Sequence, residues 1–337
     1  MEEELLAEAF RVAADGPQGL GQAVALLQTV RGDAADPATG EAWLALLRLL
    51  YRVGRRDLPL GRLFEGNVDA RQIVARYGAP RLLADLPAGA TLGVWNADLP
   101  GEPLVLADGR LSGAKSFASG AGILSHALVT ADAPGGRQLL LLDLAQAVPV
   151  IDRSWWRTIG MQRSETHIVR WRDAPVPAEA LVGSPGDYSR EPWFSGGALR
   201  FAAVQAGGVA GLFDRVRDHL VAAGRDADPH QAGRLAALLM AAEACAAAVR
   251  RAGEEWFDAP EETRLARVSA ARVAVAEAGD RAITVAEQAV GVQGLFLSHP
   301  LSAPLVDLSV YLRQPGPDAQ RMRVGAAAAA GLFTPEL

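Results

Sequence analysis

The sequence predicts an α+β protein in three parts: an N-terminal helical domain over residues 1–88, a small middle β-barrel over 89–190 and a C-terminal antiparallel helical bundle over 191–337. Three observations carry this reading. Apolar residues recur every three or four positions as far as Leu86. Short β-prone runs then alternate with turn signals. Beyond Pro192 long, Ala-rich helical stripes take over. With 337 residues, 50% of them hydrophobic and 21% charged, the chain has the composition of a globular protein and the length for a full-sized core.

In order, Leu5, Leu6, Ala9, Phe10 and Ala13 stripe a first helix, and Val24, Leu27 and Val30 a second. Trp43, Leu46, Leu47 and Leu50 stripe a third, entered past Pro37 and left at Gly54. Pro59 and Gly61 interrupt the pattern, so a fourth helix is expected over 68–77, stopped by Gly78. Strands are expected at 91–95, 103–106, 111–117, 126–131, 138–142 and 166–171. Asp108-Gly109 suits a type I′ hairpin turn, which needs positive φ at both residues. Pro134-Gly135-Gly136 supplies another turn. That many short strands in roughly 90 residues suggest a small barrel or sandwich. The bundle starts with a stripe of Phe201, Val204, Gly208, Leu212, Val216 and Leu220. Helices over 229–257 and 261–290 follow, the latter with Leu265, Val268, Val275, Ile283 and Val285 facing inward, and a last one over 319–331. The run Ala206-Gly207-Gly208-Val209-Ala210-Gly211 lies inside a helical stripe and implies close helix approach.

Several kinds of chemistry are disfavoured. The formal charge of −6 is spread without acidic or basic blocks, which argues against a nucleic-acid or membrane-surface binder. One cysteine, Cys245, excludes a disulfide framework and a Cys-based zinc site within one chain. His126, His167, His219, His230 and His299 fall in no metal-ligand spacing, so no metal is expected. There is no nucleophile elbow and no phosphate-binding loop. Ser119-Gly120-Ala121-Gly122 follows a strand without opening a helix, so a dinucleotide-binding reading fails. No long apolar run or leader peptide is apparent, which leaves no expected membrane span and the cytoplasm as the expected compartment. Lys115 is the single lysine among 33 basic residues.

Three segments carry a family resemblance. Leu111-Ser112-Gly113-Ala114-Lys115-Ser116-Phe117-Ala118-Ser119-Gly120 resembles the L-x-G-x-K-x-W-I-T-N/S-G strand of the acyl-CoA dehydrogenase superfamily. Gly160-Met161-Gln162-Arg163-Ser164-Glu165-Thr166, followed by Trp171-Arg172-Asp173-Ala174-Pro175-Val176-Pro177, resembles the run that closes that family's middle domain. Gln288-Ala289-Val290-Gly291-Val292-Gln293-Gly294-Leu295 is similar to its Q-x-x-G-G-x-G-F stretch, and Asp307 stands where an R-D pair follows, with Val306 replacing the Arg. The resemblance implies the helix–barrel–bundle fold, bound FAD and a homo-oligomer or a paralogous partner subunit. It places Phe117 at the position that covers the flavin ring and Ser119 at that of the hydroxyl near N5. Asn96 falls near the segment that meets the flavin pyrimidine. Gln288 and Gly291 fall at positions that reach the ADP half from a neighbouring subunit, and Arg225 is a candidate for the family's pyrophosphate-binding arginine. Plainer readings stay open: Phe117 as a barrel-core residue, Gln288 and Gly291 as a solvated helix end with its C-cap glycine.

The family's reaction removes the α-proton of an acyl-CoA thioester with a glutamate, because that carbon is a weak acid and needs a positioned base. The resemblance puts this position at Pro315, and the family's other one, on the first bundle helix, at Leu199. Asp318 is the nearest carboxylate, a candidate displaced base or simply a residue at a helix start. The expectation is therefore an FAD-dependent oxidoreductase acting on an acyl-CoA-like or other small molecule with its usual base replaced. Two alternatives are a flavin-dependent monooxygenase of the same fold and a non-catalytic subunit of a mixed assembly.

Overall fold

A computed structural model describes residues 1–30 and 36–333; the last four positions of the expected bundle lie outside the described residues. The N-terminal part contains α1 (Glu2–Ala13), α2 (Pro17–Val30), α3 (Gly40–Arg56), α4 (Leu58–Tyr77) and the single turn α5 (Arg81–Ala84). Eight strands follow: β1 (Leu92–Trp95), β2 (Val105–Ala107), β3 (Arg110–Ala118), β4 (His126–Ala133), β5 (Gly136–Asp143), β6 (Val150–Asp152), β7 (His167–Pro175) and β8 (Leu181–Val182). The C-terminal part contains α6 (Trp193–Gly196), α7 (Ala198–Ala222), α8 (Pro229–Glu254), α9 (Glu261–Val290), α10 (Ser302–Tyr311) and α11 (Pro317–Ala329).

The fourth helix starts at Leu58, not at 68. Pro59 lies in its first turn, where a missing N–H leaves no bond unmade, and the Asp57 carboxylate accepts from the Leu60 N–H at 3.0 Å. β6 and β8 were not foreseen; they are three and two residues long, too short for a period to register, whereas α10 was expected only through the resemblance, as the helix that carries Asp307.

By packing, the chain forms two units. Of the described residues, one holds 1–30, 36–37, 62–157 and 162–190; the other holds 38–61, 158–161 and 191–333. The first unit is built on one sheet in the order β6-β7-β3-β2-β4-β5-β8, with β1 parallel to β4. Asp108 and Gly109 both take positive φ (49° and 70°) in the β2–β3 turn, as the hairpin reading requires. Trp95, Leu111, Val129, Leu140 and Trp171, from five strands, share one buried cluster, so the sheet wraps a single core as a barrel does. Neighbouring residues point the other way: Leu92, Leu128, Leu139 and Leu141 pack with Ala70, Ile73 and Val74 of α4. Buried Asn67 ties α4 to this sheet by accepting from the Leu92 N–H at 2.8 Å.

The second unit packs α3 with α7, α8 and α9. At the α3–α7 crossing, a Cβ on Gly54 would lie 2.1 Å from the Val204 carbonyl oxygen, and one on Gly207 would lie 2.0 Å from that of Tyr51. Only glycine lets these backbones approach so closely, as the Ala206–Gly211 run implied. On α9 the buried stripe is Gly279, Ala282, Ala286 and Ala289; Ile283 and Val285, expected inside, are half-buried. By length and composition α8 is apolar enough to cross a membrane, with a mean hydropathy of 1.5 in its best window, although it packs against α7 and α9.

Candidate functional site

The first two sequence motifs meet in the barrel unit. β3 pairs with β7 through Lys115↔Val169 and next through Ala118↔His167, so β3 carries one extra residue there. Such a bulge re-aims a side chain. Phe117 sits in it with φ 53° and is 55% exposed, which removes the barrel-core reading of this residue. The Trp155 ring lies nearly perpendicular to it at 4.8 Å between centroids, with Trp156 at 6.3 Å. A large apolar ring is thus held outward by aromatic neighbours in a backbone conformation that bulky residues seldom adopt.

Ser119, just past the bulge, is buried. Its carbonyl accepts from Trp95 Nε1 at 2.9 Å, and its Oγ accepts from Thr166 Oγ1 at 3.0 Å. Thr166 Oγ1 lies 2.7 Å from Ser164 Oγ. Backbone bonds from Gly120 N to Ser164 O (2.8 Å) and from Ala121 N to Glu165 O (3.0 Å) clamp the two segments together. Glu165, also at positive φ (45°), pairs with Arg153 and with His167 Nε2 at 3.0 Å. Trp155 and Trp156 were not singled out from the sequence, and Ser164 and Thr166 entered only as part of the second motif, whose 160–166 segment was expected beside Phe117 and Ser119 at the flavin, with no role of their own. The adjacent tryptophans and the Ser-x-Thr spacing within the second motif were the available signals.

Asn96 has other commitments. Its side-chain oxygen accepts from Thr130 Oγ1 at 2.8 Å and its carbonyl accepts from Lys115 Nζ at 3.0 Å. Lys115 is 0% exposed and also reaches Asp98 Oδ1 at 2.6 Å and Thr130 Oγ1 at 3.0 Å. Burial lowers its ammonium to about 8, against the pull of the Asp98 hydrogen bond. Burial pushes the Asp98 carboxyl up, but hydrogen bonds from Lys115 and Arg137 outweigh it and hold the group below its usual range. The lone lysine is thus a buried structural ion.

In the helical unit, Asp307 Oδ1 accepts from the Met161 N–H at 2.5 Å, and a Cβ on Gly160 would lie 2.2 Å from the Val306 carbonyl oxygen. The Gly-Met pair of the second motif is therefore seated on α10. The α10–α11 turn, where the sequence resemblance put the base position, is fixed by its backbone. The Tyr311 carbonyl accepts from Gln205 at 2.7 Å and from Gln314 at 3.0 Å, and the Pro315 carbonyl accepts from Arg272 at 3.0 Å. Beside it, Phe201, Gln205, Arg272, Leu312 and Gln320 line a cavity of about 30 Å³, with room for little more than a water. Leu199 is buried. The Asp318 side chain is 88% exposed in the first turn of α11, 3.3 Å from Arg321. Gln288 is exposed in the last turn of α9, and Gly291 caps that helix with φ 73°. Arg225 is exposed in the α7–α8 loop. No metal-ligand cluster occurs among the described residues.

No family model and no curated protein matches this sequence. Solved structures do match over the full length. TdsC from Paenibacillus sp. A11-2, a dibenzothiophene monooxygenase solved with FMN and indole, superimposes with a TM-score of 0.78 at 15% identity, covering 99% of this chain and 96% of its own. 3-HSA hydroxylase from Rhodococcus sp. RHA1 gives 0.74 at 16% identity, covering 99% and 97%. Butyryl-CoA dehydrogenase from Megasphaera elsdenii gives 0.77 at 16% identity, covering 97% and 98%. Likeness of this extent at such low identity establishes a common fold.

Proposed function

We propose that this chain, which has the acyl-CoA dehydrogenase fold, is a cytoplasmic flavin-dependent oxidoreductase that works as a monooxygenase on a small organic molecule. The observation that carries the choice is the α10–α11 turn. By the motif resemblance Pro315 falls at the family's base position and Leu199 at the other; the Pro315 carbonyl is bonded to Arg272, and Leu199 is buried. An α-proton abstraction has no carboxylate at either place, whereas oxygen insertion needs none. The monooxygenase and the hydroxylase with the same fold support this reading.

The residues present fit a flavin. Phe117 offers an outward aromatic face, and Ser119 has a buried hydroxyl proton with no acceptor among the described residues. A bound reduced flavin would supply the electrons and the site of reaction with dioxygen. Phe117 would cover one face of its ring and Ser119 would bond its edge, while Trp155 and Trp156 hold Phe117 in place. Gln288 and Gly291 of a second copy would meet the ADP half of FAD, and Arg225 would meet its pyrophosphate. FMN, found in TdsC, has no such half, so the cofactor is proposed as a flavin of either kind. Asn96 takes no part in this reading because Thr130 holds its side-chain oxygen.

The protein loaded with FMN or FAD should keep its oxidised absorbance when a saturated acyl-CoA is added without oxygen. Reduced and exposed to oxygen, it should reoxidise at a rate that responds to an aromatic heterocycle such as indole. Rapid bleaching by acyl-CoA would overturn the monooxygenase reading. Loss of that bleaching in Asp318→Asn would then identify Asp318, turned inward from its exposed position, as the base of a dehydrogenase.

A further inference from the structure

We propose that Thr166 and Ser164 are positioning residues that set Ser119 as a hydrogen-bond donor to the flavin, an inference that rests on the flavin reading above. The three hydroxyls are buried and form a chain, with Ser164 Oγ 2.7 Å from Thr166 Oγ1 and Thr166 Oγ1 3.0 Å from Ser119 Oγ. A hydroxyl has one proton to give. Thr166 gives its proton to Ser119, so its bond with Ser164 is one that it accepts. Ser119 then receives a bond and keeps its own proton, for which no acceptor stands among the described residues. The reverse orientation would use that proton internally and leave Ser119 only able to accept.

The chain is not needed to hold the strands together. The backbone bonds Gly120 N–Ser164 O and Ala121 N–Glu165 O do that without any hydroxyl. A buried polar proton without a partner is costly, so one that persists two residues along from the exposed Phe117 points to an acceptor brought by a ligand. The unprotonated ring nitrogen or a ring carbonyl of an oxidised flavin is such an acceptor. Thr166 acts on it only through Ser119.

The test titrates oxidised FMN and FAD into the wild-type chain and into Thr166→Val, Thr166→Ser, Ser164→Ala and Ser119→Ala, following flavin fluorescence for the Kd and the visible band for the environment of the ring. Melting curves without flavin identify any variant that fails to fold. Thr166→Val should weaken binding about five-fold, as expected for one neutral hydrogen bond, and shift the visible band in the same direction as Ser119→Ala. Thr166→Ser, which keeps the hydroxyl, should restore both, and Ser164→Ala should give a smaller change of the same sign. Wild-type Kd and spectrum in Thr166→Val would overturn the inference and leave the flavin reading standing. No flavin binding by the wild-type chain would overturn that reading and this inference with it.

Discussion

Phe117 combines an exposed ring with a positive φ, so little of its burial stabilises the fold. Phe117→Ala should therefore change the unfolding free energy by less than about 1 kcal/mol and weaken flavin binding by about ten-fold or more, measurable by denaturant melts and by titration. The motif marked the position, but the outward turn of the ring depends on one extra residue in β3, and alternation along a single strand does not register that. Lys115 gives a pH-dependent prediction. Its ammonium falls from 10.5 in the open chain to about 8 in the fold. Between those values the unfolded chain binds more protons, so this residue's contribution to stability rises as pH climbs from 8 towards 10.5. Compared with Lys115→Met in denaturant melts from pH 7 to 10, the wild type should gain on the order of 2 kcal/mol. Asp98, held low, works in the opposite range: its contribution is lost as pH falls through the acid region.

At the level of elements, the α3–α7 crossing is where sequence and structure agree most closely. A Cβ on Gly207 would press into the Tyr51 carbonyl, whereas one on Gly233 of α8 would meet nothing within 4 Å. Gly207→Ala should destabilise by about 2–4 kcal/mol, a clash the helices relieve only by moving apart. Gly233→Ala should stabilise by about 0.5–1 kcal/mol through helix propensity alone. Thermal melts of the two variants should move in opposite directions. The long helices were legible because three or more turns of a stripe outweigh a local exception. Pro59 and Gly61 misled because a proline is read as an interruption unless the chain is known to be starting a helix there. On α9, Val268 and Val275 are buried as expected, but in the C-terminal half alanine and glycine took the buried face and pushed Ile283 and Val285 aside, which ranking by hydrophobicity cannot anticipate.

For the molecule as a whole, the segment after α9 exposes Val292, Leu295, Phe296 and Leu297, the last at 98%. An exposed apolar run of this kind is a candidate interface. We expect a homodimer or larger assembly by light scattering at micromolar concentration, and Leu297→Asp combined with Phe296→Asp should shift it towards monomer. The order of helical and β zones was readable from the sequence. The grouping of α3 with the C-terminal helices was not, because it depends on contacts between residues far apart in the chain. The arginine-heavy composition has a practical consequence for anyone handling the protein. Its one lysine is fully buried, and its one cysteine, Cys245, is buried with its thiol pushed up to about 12. Amine-reactive and thiol-reactive reagents therefore find no side chain of their usual kind to attack in the folded chain. Lysine cross-linkers will under-report any assembly, and a single cysteine placed on an exposed loop would be a unique handle for a dye or a surface.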